Sequence, residues 1–448
     1  MDHNPRSDLR LLLRSGLAKS LVSLCIKVAT AGLTYGMFVV LSRVMGITEY
    51  GYFAFGLSLA TILAIGASLG QQTAILRYWP EEMVAGRSAK ALEALRSGGA
   101  LTLVAGLTTS ALLLMAGAIV SWLDPGPVLH LYAAAALILP LALAEYWSSA
   151  LRAQGSVWTA LGPRDIGWRL ALPLVVLGFF YLGVQLSGWA VLVLTGAMLA
   201  LALVVQFGLA RRRRYEIAIG FAGLADYWRV RGKASWSFFA GTVLDAAALN
   251  IDIIFVGLLV APAAAGIYFN AFRTAGLLTL FMFAITLVVA PMVAQHYHAG
   301  EMRKAQAITA LCAWAGFVFS LVVFAGFVLF GDQVLSLFGG SHEQGWTILI
   351  LLSIGLLFDA ATGPSRIVMM MTGHERDYVR IFGTIIGLGM LVQLAVIPVF
   401  GLIGAASVNM ASRIAAQLAI AVYARRKIGL DTSLLGAFRV NHVADRAA

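Results

Sequence analysis

The sequence predicts an all-α, polytopic membrane protein: twelve transmembrane helices in two six-helix lobes, with both termini in the cytoplasm. Three observations carry this prediction: a shortage of charge, a one-sided distribution of cations, and an internal repeat. The chain has 448 residues, of which 60% are hydrophobic and 12% charged. Its mean hydropathy is +0.87. A soluble domain carries roughly 25% charged residues, so the deficit is too large for a soluble core. Apolar runs of about 20 residues, each enough to cross the hydrocarbon of a bilayer, recur along the chain. The alternating polarity of a transmembrane β-barrel is absent.

Spans are expected near residues 18–41, 52–76, 99–122, 129–150, 169–184, 189–210, 236–260, 267–294, 308–330, 346–371, 381–399 and 403–424. The fifth is the shortest. The first is too long, and lacks the small-residue cleavage site, to be a cleavable signal peptide. Of the 32 lysines and arginines, 27 fall in the even-numbered loops and the tails (Arg164 in loop four, and Lys19 and Arg169 counted with the loops that flank the ends of spans one and five), one (Arg43) in an odd loop, and four deeper inside spans. Cytoplasmic loops attract cations, so the asymmetry sets the orientation and supports the span count. It also accounts for the net charge of +11 and for the run Arg211-Arg212-Arg213-Arg214, without a nucleic-acid partner. The stretch FAGLADYWRVRGKASW in the sixth loop reads as an amphipathic segment at the cytoplasmic interface. Trp79, Trp147, Trp158 and Trp168 fall near predicted interfaces, where tryptophan forms belts.

The two halves echo each other at a nearly constant offset. Gly51 and Gly266 open spans two and eight, Gly155 and Gly373 follow spans four and ten, and Gly188 and Gly404 open spans six and twelve. A repeat of six spans keeps its orientation, so the halves should be related by an axis along the membrane normal. The expected organisation is an N-tail (1–17), a first lobe (18–210), a cytoplasmic linker (211–235), a second lobe (236–424) and a cytoplasmic C-tail (425–448).

RVMGITEYGYF (43–53), RYWPEE (77–82), LRAQG (151–155), DIIFVGLLVAPAAAGIYFNAFR (252–273) and the GLIGAA turn resemble the polysaccharide transporter family. These are the O-antigen and exopolysaccharide flippases of the multidrug/oligosaccharidyl-lipid/polysaccharide (MOP) superfamily. The resemblance runs from about residue 15 to 425 and implies a MATE-like pair of lobes in a V. It implies that an undecaprenyl-pyrophosphate-linked oligosaccharide passes from the inner to the outer leaflet of a bacterial cytoplasmic membrane, by alternating access between the lobes. Expected partners are that lipid-linked oligosaccharide, membrane lipids, and a downstream polymerase or export machinery. An ion-coupled multidrug antiporter is the alternative on the same fold. No cofactor, metal site or catalytic residue is expected: Cys25 and Cys312 sit in apolar runs, Met369-Met370-Met371 lacks His or Cys company, and the short odd loops, with His130 and His342 apart, hold no partner motif for an enzyme.

An ionisable side chain at membrane depth costs several kcal/mol unless it faces protein or water, which makes each one a functional candidate. Eight occur: Lys27, Glu145, Asp245, Asp252, Arg273, Asp359, Arg366 and Arg413. Asp245 and Asp252 lie two turns apart on one face of span seven, about 10 Å from each other. That is too far to share a proton. Asp252 and Arg273 fall at similar depth on consecutive spans and could form a buried ion pair. Asp245 has no such partner at its level, so it is a candidate for binding H⁺ or Na⁺, with Asp252, Asp359 and Glu145. At an offset of 216 the first half holds Ala29 and Gly36 instead, so the acidic stripe belongs to the second lobe. Lys27, Arg273, Arg366 and Arg413 form either cationic stations for pyrophosphate and acidic sugars, or structural pairs with Glu145, Asp359 or helix ends. Arginine suits the first task because its planar fork donates parallel hydrogen bonds to phosphate oxygens.

Overall fold

A computed structural model describes residues 29–123, 126–339 and 343–442. These residues are overwhelmingly helical, and none lies in a strand. Seven helices are long and apolar enough to cross a membrane, and eight with one bent pair. The longest of them turns at Gly401 and is therefore two rods. Three further rods cover residues 29–45, 157–181 and 262–298. Each expected span thus meets a helical rod in the expected order, the first only in part because residues before 29 lie outside the described set. The chain divides into two compact units, Met1–Ile254 and Phe255–Ala448. The division falls inside a helix, so residues 211–254 group with the first unit.

The first unit contains α1 (Ala29–Met45), α2 (Ile47–Ala67), α3 (Gln71–Val84), α4 (Ser88–Leu123), α5 (Leu129–Ala153), α6 (Val157–Leu161), α7 (Trp168–Tyr181), α8 (Gly188–Arg212) and most of α9 (Leu224–Leu259). At its centre is α5, packed against α2, α4 and α8. Its buried alanines 133–135 let those neighbours approach closely. The Tyr146 hydroxyl donates to the Leu95 carbonyl at 2.6 Å. Trp147 is fully buried, edge-on to Tyr146 and Phe207, so the belt position read for it from sequence is wrong. Trp158, by contrast, is 53% exposed.

The fifth rod starts twelve residues earlier than expected. A π-helical segment, Gly162–Gly167, joins α6 to α7 without a loop. Arg164 and Arg169, which read as cations of loop four, therefore sit inside a rod. A π segment bonds i to i+5 and frees nearby carbonyls. The Gln206 amide on α8 takes up two of them, donating to Ala160 O at 2.9 Å and to Thr159 O at 3.3 Å.

The loop-six stretch becomes the first turns of α9 instead of a separate element. They are fastened to α3. Tyr227 donates to Gln71 Oε1 at 2.7 Å, and Arg231 pairs with Glu82 while stacking 4.0 Å from the Tyr78 ring. Glu82 also accepts from Arg87 at 2.5 Å. Tyr227 is buried there, while Phe221, Val230 and Trp236 of the same stretch stay exposed.

The second unit begins with the end of α9 and continues through α10 (Pro262–Ala275), a 3-10 turn (Gly276–Thr279), α11 (Leu280–His298), α12 (Met302–Ser336), α13 (Glu343–Ala361), α14 (Ser365–Met371) and α15 (Glu375–Tyr423). The tenth rod, α13 with α14, bends by 45°. The sequence Thr362-Gly363-Pro364 explains the break. Proline supplies no N–H and pushes its predecessor out of the helical region, and Gly363 takes φ +65°. After α15 a π turn (Ala424–Ile428) leads into a tail that docks on α12. Gln306 on α12 binds that tail on both sides of its amide: it accepts from Asp431 N at 2.8 Å and donates to Asp431 O at 2.7 Å and Gly436 O at 3.2 Å. Trp314 Nε1 donates to Leu434 O at 3.1 Å. Leu430 and Thr432 are fully buried, a docking not visible as a pattern in the polar tail sequence. Gly155 and Gly373, paired in the repeat, both adopt positive φ (+89° and +81°) and both end the fourth rod of their unit.

Candidate functional site

In the first unit the carboxylate of Glu145 is paired, among the described residues, with a cation that the sequence did not single out. It accepts a short charge-assisted hydrogen bond from Arg164. Asp165, buried, lies 3.4 Å from Arg164 and 3.8 Å from Arg169. Arg169 donates to the carbonyls of Arg164 (3.2 Å) and Asp165 (3.0 Å) and covers the Trp168 ring at 4.6 Å. Arg152, exposed near the end of α5, donates to Ser149 Oγ at 2.9 Å and is within electrostatic reach of Arg164, Glu145 and Asp165. The π segment carries Arg164 and Asp165, and Arg169 follows in the first turn of α7. The cluster holds three guanidinium groups and two carboxylates. Sequence reasoning missed it because its arginines fell in a loop of expected positive charge. The Gly162-Pro163 pair ahead of Arg164 was the available signal of an irregular helix.

In the second unit Asp359, one turn before the break in the tenth rod, accepts from Gln417 Nε2 and faces Arg413 Nη1 at 3.9 Å. Ser365, just past the break, donates to Gln417 Oε1 at 3.0 Å. Arg413 and Gln417 are four apart and share a face of α15. The Arg413 side chain runs past Gly355, where an added Cβ would stand 3.4 Å from its Cδ. Arg366 is exposed on α14, with its guanidinium 5.4 Å from the Tyr378 ring, and acts electrostatically on Asp359. Asp359, Arg366 and Arg413 are thus brought together around the bend, joined by Gln417 and Ser365, which were not foreseen. A short neutral amide between two rods gives no signal in hydropathy.

The other candidates stand apart from these clusters. Lys27 lies outside the described residues. Asp245 is half-buried and Asp252 is 4% exposed, both on α9. Asn250 is off their stripe, its amide donating to Ala246 O at 2.9 Å. Arg273 is half-buried on α10 with its guanidinium 4.7 Å from the Phe269 ring. His130 sits in an aromatic pocket between Tyr52 and Phe55, and His342 lies outside the described residues. Among the described residues no group of three His, Cys, Asp or Glu could hold a metal ion.

Residues 17–155 match the family of polysaccharide biosynthesis proteins, and residues 242–394 match the MatE family. No curated protein matches the chain in sequence. Among solved structures the chain is similar to an inward-facing multidrug resistance MATE family transporter of the MOP superfamily, with TM-score 0.70 and 16% identity over 96% of this chain and 100% of that one. It is also similar to the lipid II flippase MurJ in an inward closed conformation, with TM-score 0.66 and 14% identity over 94% and 92% of the two chains. A third is a MOP superfamily transporter from Pyrococcus furiosus described as having a binding pocket of reverse polarity, with TM-score 0.63 and 16% identity over 91% and 94%. At these identities the structures establish the fold. Together with the two family matches they support the resemblance read from sequence, and the solved neighbours are described as transporters and a flippase.

Proposed function

We propose that this multi-pass membrane protein, a MOP-superfamily transporter in fold, is a flippase for a lipid-linked oligosaccharide. The cargo is an undecaprenyl-pyrophosphate-linked O-antigen or exopolysaccharide repeat unit. It moves from the inner to the outer leaflet of a bacterial cytoplasmic membrane by alternating access, and a polymerase or export system receives it. The match of residues 17–155 to polysaccharide biosynthesis proteins favours this cargo.

The observation that carries the reading is the state of the intramembrane carboxylates. Glu145 is held by Arg164, and Asp359 by Gln417 and Arg413. A site for cationic drugs needs carboxylates whose charge is left for the cargo, whereas guanidinium groups compensate Glu145 and Asp359 and outnumber the carboxylates of their two clusters. Anionic diphosphate and acidic sugars suit such surroundings. Asp245, half-buried on α9, is the carboxylate assigned in this reading to a coupling H⁺ or Na⁺.

Proteoliposomes carrying a fluorescent lipid-linked oligosaccharide test the proposal through quenching of the outer leaflet by an impermeant reductant. Wild type should exchange the probe between leaflets, and Arg413→Ala should slow exchange by about tenfold, equivalent to roughly 1.4 kcal/mol of barrier. Size-exclusion profiles would confirm that the variant remains folded. No exchange by wild type, together with ion-driven uptake of a cationic dye that Asp359→Asn abolishes, would establish the multidrug alternative instead.

A further inference from the structure

We propose that Arg152, Arg164 and Arg169 form an entry station that takes the diphosphate of the lipid-linked cargo at the membrane surface. The proposal rests on the flippase reading and adds the place where the cargo is first held.

Among the described residues the cluster sets three guanidinium groups against two carboxylates, Glu145 and Asp165. Arg164 is 18% exposed and Arg169 19%, so the excess sits where solvation is poor. Arg152 and Arg164 are like charges within electrostatic reach of each other. Such an arrangement is costly unless an anion joins it. A diphosphate would relieve both the excess and the repulsion.

Geometry favours the same ligand. Arg164 is committed to Glu145 and Asp165 and acts as the fixed base of the cluster. Arg169 is braced by two carbonyls and the Trp168 ring. Arg152 is exposed and, among the described residues, is anchored through the Ser149 hydroxyl, so its fork can turn to an incoming phosphate. A planar fork binds two phosphate oxygens at once, which an ammonium cannot do.

Depth points to a lipid-borne anion. Arg152 is the next-to-last residue of α5, and α6 begins only four residues after that helix ends. Trp158, exposed at the start of the fifth rod, is the kind of side chain that settles at the headgroup layer. A polyprenyl tail holds its diphosphate in that same layer. Anionic phospholipids present phosphate at this level too, so the test must separate the two sources.

Binding of undecaprenyl pyrophosphate, cardiolipin, phosphatidylglycerol and inorganic pyrophosphate to the purified full-length protein can be followed by native mass spectrometry. Undecaprenyl pyrophosphate should bind best, and Arg152→Ala should weaken it by about tenfold, or roughly 1.4 kcal/mol. Arg152→Lys should restore part of that affinity, and undecaprenol, lacking the diphosphate, should be insensitive to all three forms. Leaflet exchange should slow in Arg152→Ala most strongly at low cargo concentration and recover toward wild type at saturation, as a docking role requires. If wild type exchanges the cargo while Arg152→Ala changes neither binding nor exchange, the station is refuted and the flippase reading survives. Equal, Arg152-dependent binding of cardiolipin would make this a phospholipid site and also refute it. Wild type that binds the diphosphate lipid through Arg152 but exchanges no cargo would uphold the station and refute the flippase reading.

Discussion

The two units each set an arginine against a carboxylate of their fourth rod, but they do so on different scaffolds. In the first unit that rod, α5, is continuous from Leu129 to Ala153, and the irregularity lies in the next rod, whose π segment delivers Arg164 to Glu145. In the second unit the fourth rod itself is broken at Gly363, and Asp359 meets Arg413 across from the last helix. Glutamine amides complete both arrangements: Gln206 satisfies carbonyls beside the π segment, and Gln417 bridges Asp359 and Ser365. Charge placement is thus common to the units, while the element that yields is not. The second unit stores its bend beside its charges and packs its tail against that bend. An added Cβ at Gly363 would stand 2.2 Å from Thr432 O and 2.7 Å from Ala313 Cβ.

The strongest way to break this comparison is to burden the two turns equally. Gly155 and Gly363 both have positive φ, but a Cβ added at Gly155 would meet no heavy atom within 4 Å. Gly363→Ala should cost about 4 kcal/mol, from backbone strain plus overpacking against the tail. Gly155→Ala should suffer only the strain, about 1 kcal/mol. Thermal unfolding in detergent, followed by intrinsic fluorescence, reads both. Equal losses in the apparent Tm would mean that the tail does not brace the break.

A second test addresses the charges. Asp359→Asn leaves Arg413 facing a neutral amide at 16% exposure, and should cost about 3 kcal/mol, as expected for breaking a mostly buried pair. Glu145→Gln leaves Arg164 with Asp165 at 3.4 Å, and its cost should be smaller, about 1 kcal/mol. The order of the two variants in a denaturation series is the measurement. A larger loss for Glu145→Gln would show that Asp165 does not substitute for it.

The same contrast explains what could be read from the sequence. Apolar runs and cation placement located the rods because hydrophobic burial and charge exclusion act on composition, residue by residue. The bend at Thr362-Gly363-Pro364 and the turn at Gly373 were also written locally, in residues with restricted or unusual φ. The start of the fifth rod was not. Pro163 and Gly162 look like a loop, and only the packing of α8, with Gln206 covering freed carbonyls, lets the helix run through them. For the same reason Arg164 and Arg169 read as loop cations, and the partner of Glu145 lies outside the four cations that depth alone singles out. Of the sequence candidates, Asp359, Arg366 and Arg413 do gather around one bend. Their positions, two on the tenth rod and one on the last helix, gave their depth but not their neighbours. Trp147 misled in the opposite sense: its place near a span end suggested the membrane surface, whereas the indole packs edge-on to Tyr146 and Phe207 and close to Gly99 of α4.

The smallest expected effect lies at the surface of the second unit, in the turn between α11 and α12. Glu301 accepts from Lys304 Nζ at 2.8 Å and lies 2.5 Å from His296 Nδ1. These hydrogen bonds, Lys304 first, hold its carboxyl below the ordinary value of 4.5. A carboxyl whose pKa is lower in the folded state takes up protons more readily on unfolding, so its contribution is complete above about pH 4.5 and fades as pH falls through the folded-state value. Exposure to water keeps that contribution small. Wild type and Glu301→Gln should therefore differ slightly in apparent Tm at about pH 6 and converge once the pH falls below the folded-state value. The difference at the higher pH should also shrink when salt is raised from about 0.1 M to about 1 M, because the screening length falls from about 10 Å to about 3 Å. A salt-independent, pH-independent gap would mean that Glu301 acts by shaping the turn through its backbone bonds to Lys304 and Ala305, and that charge in this unit matters only around the bend.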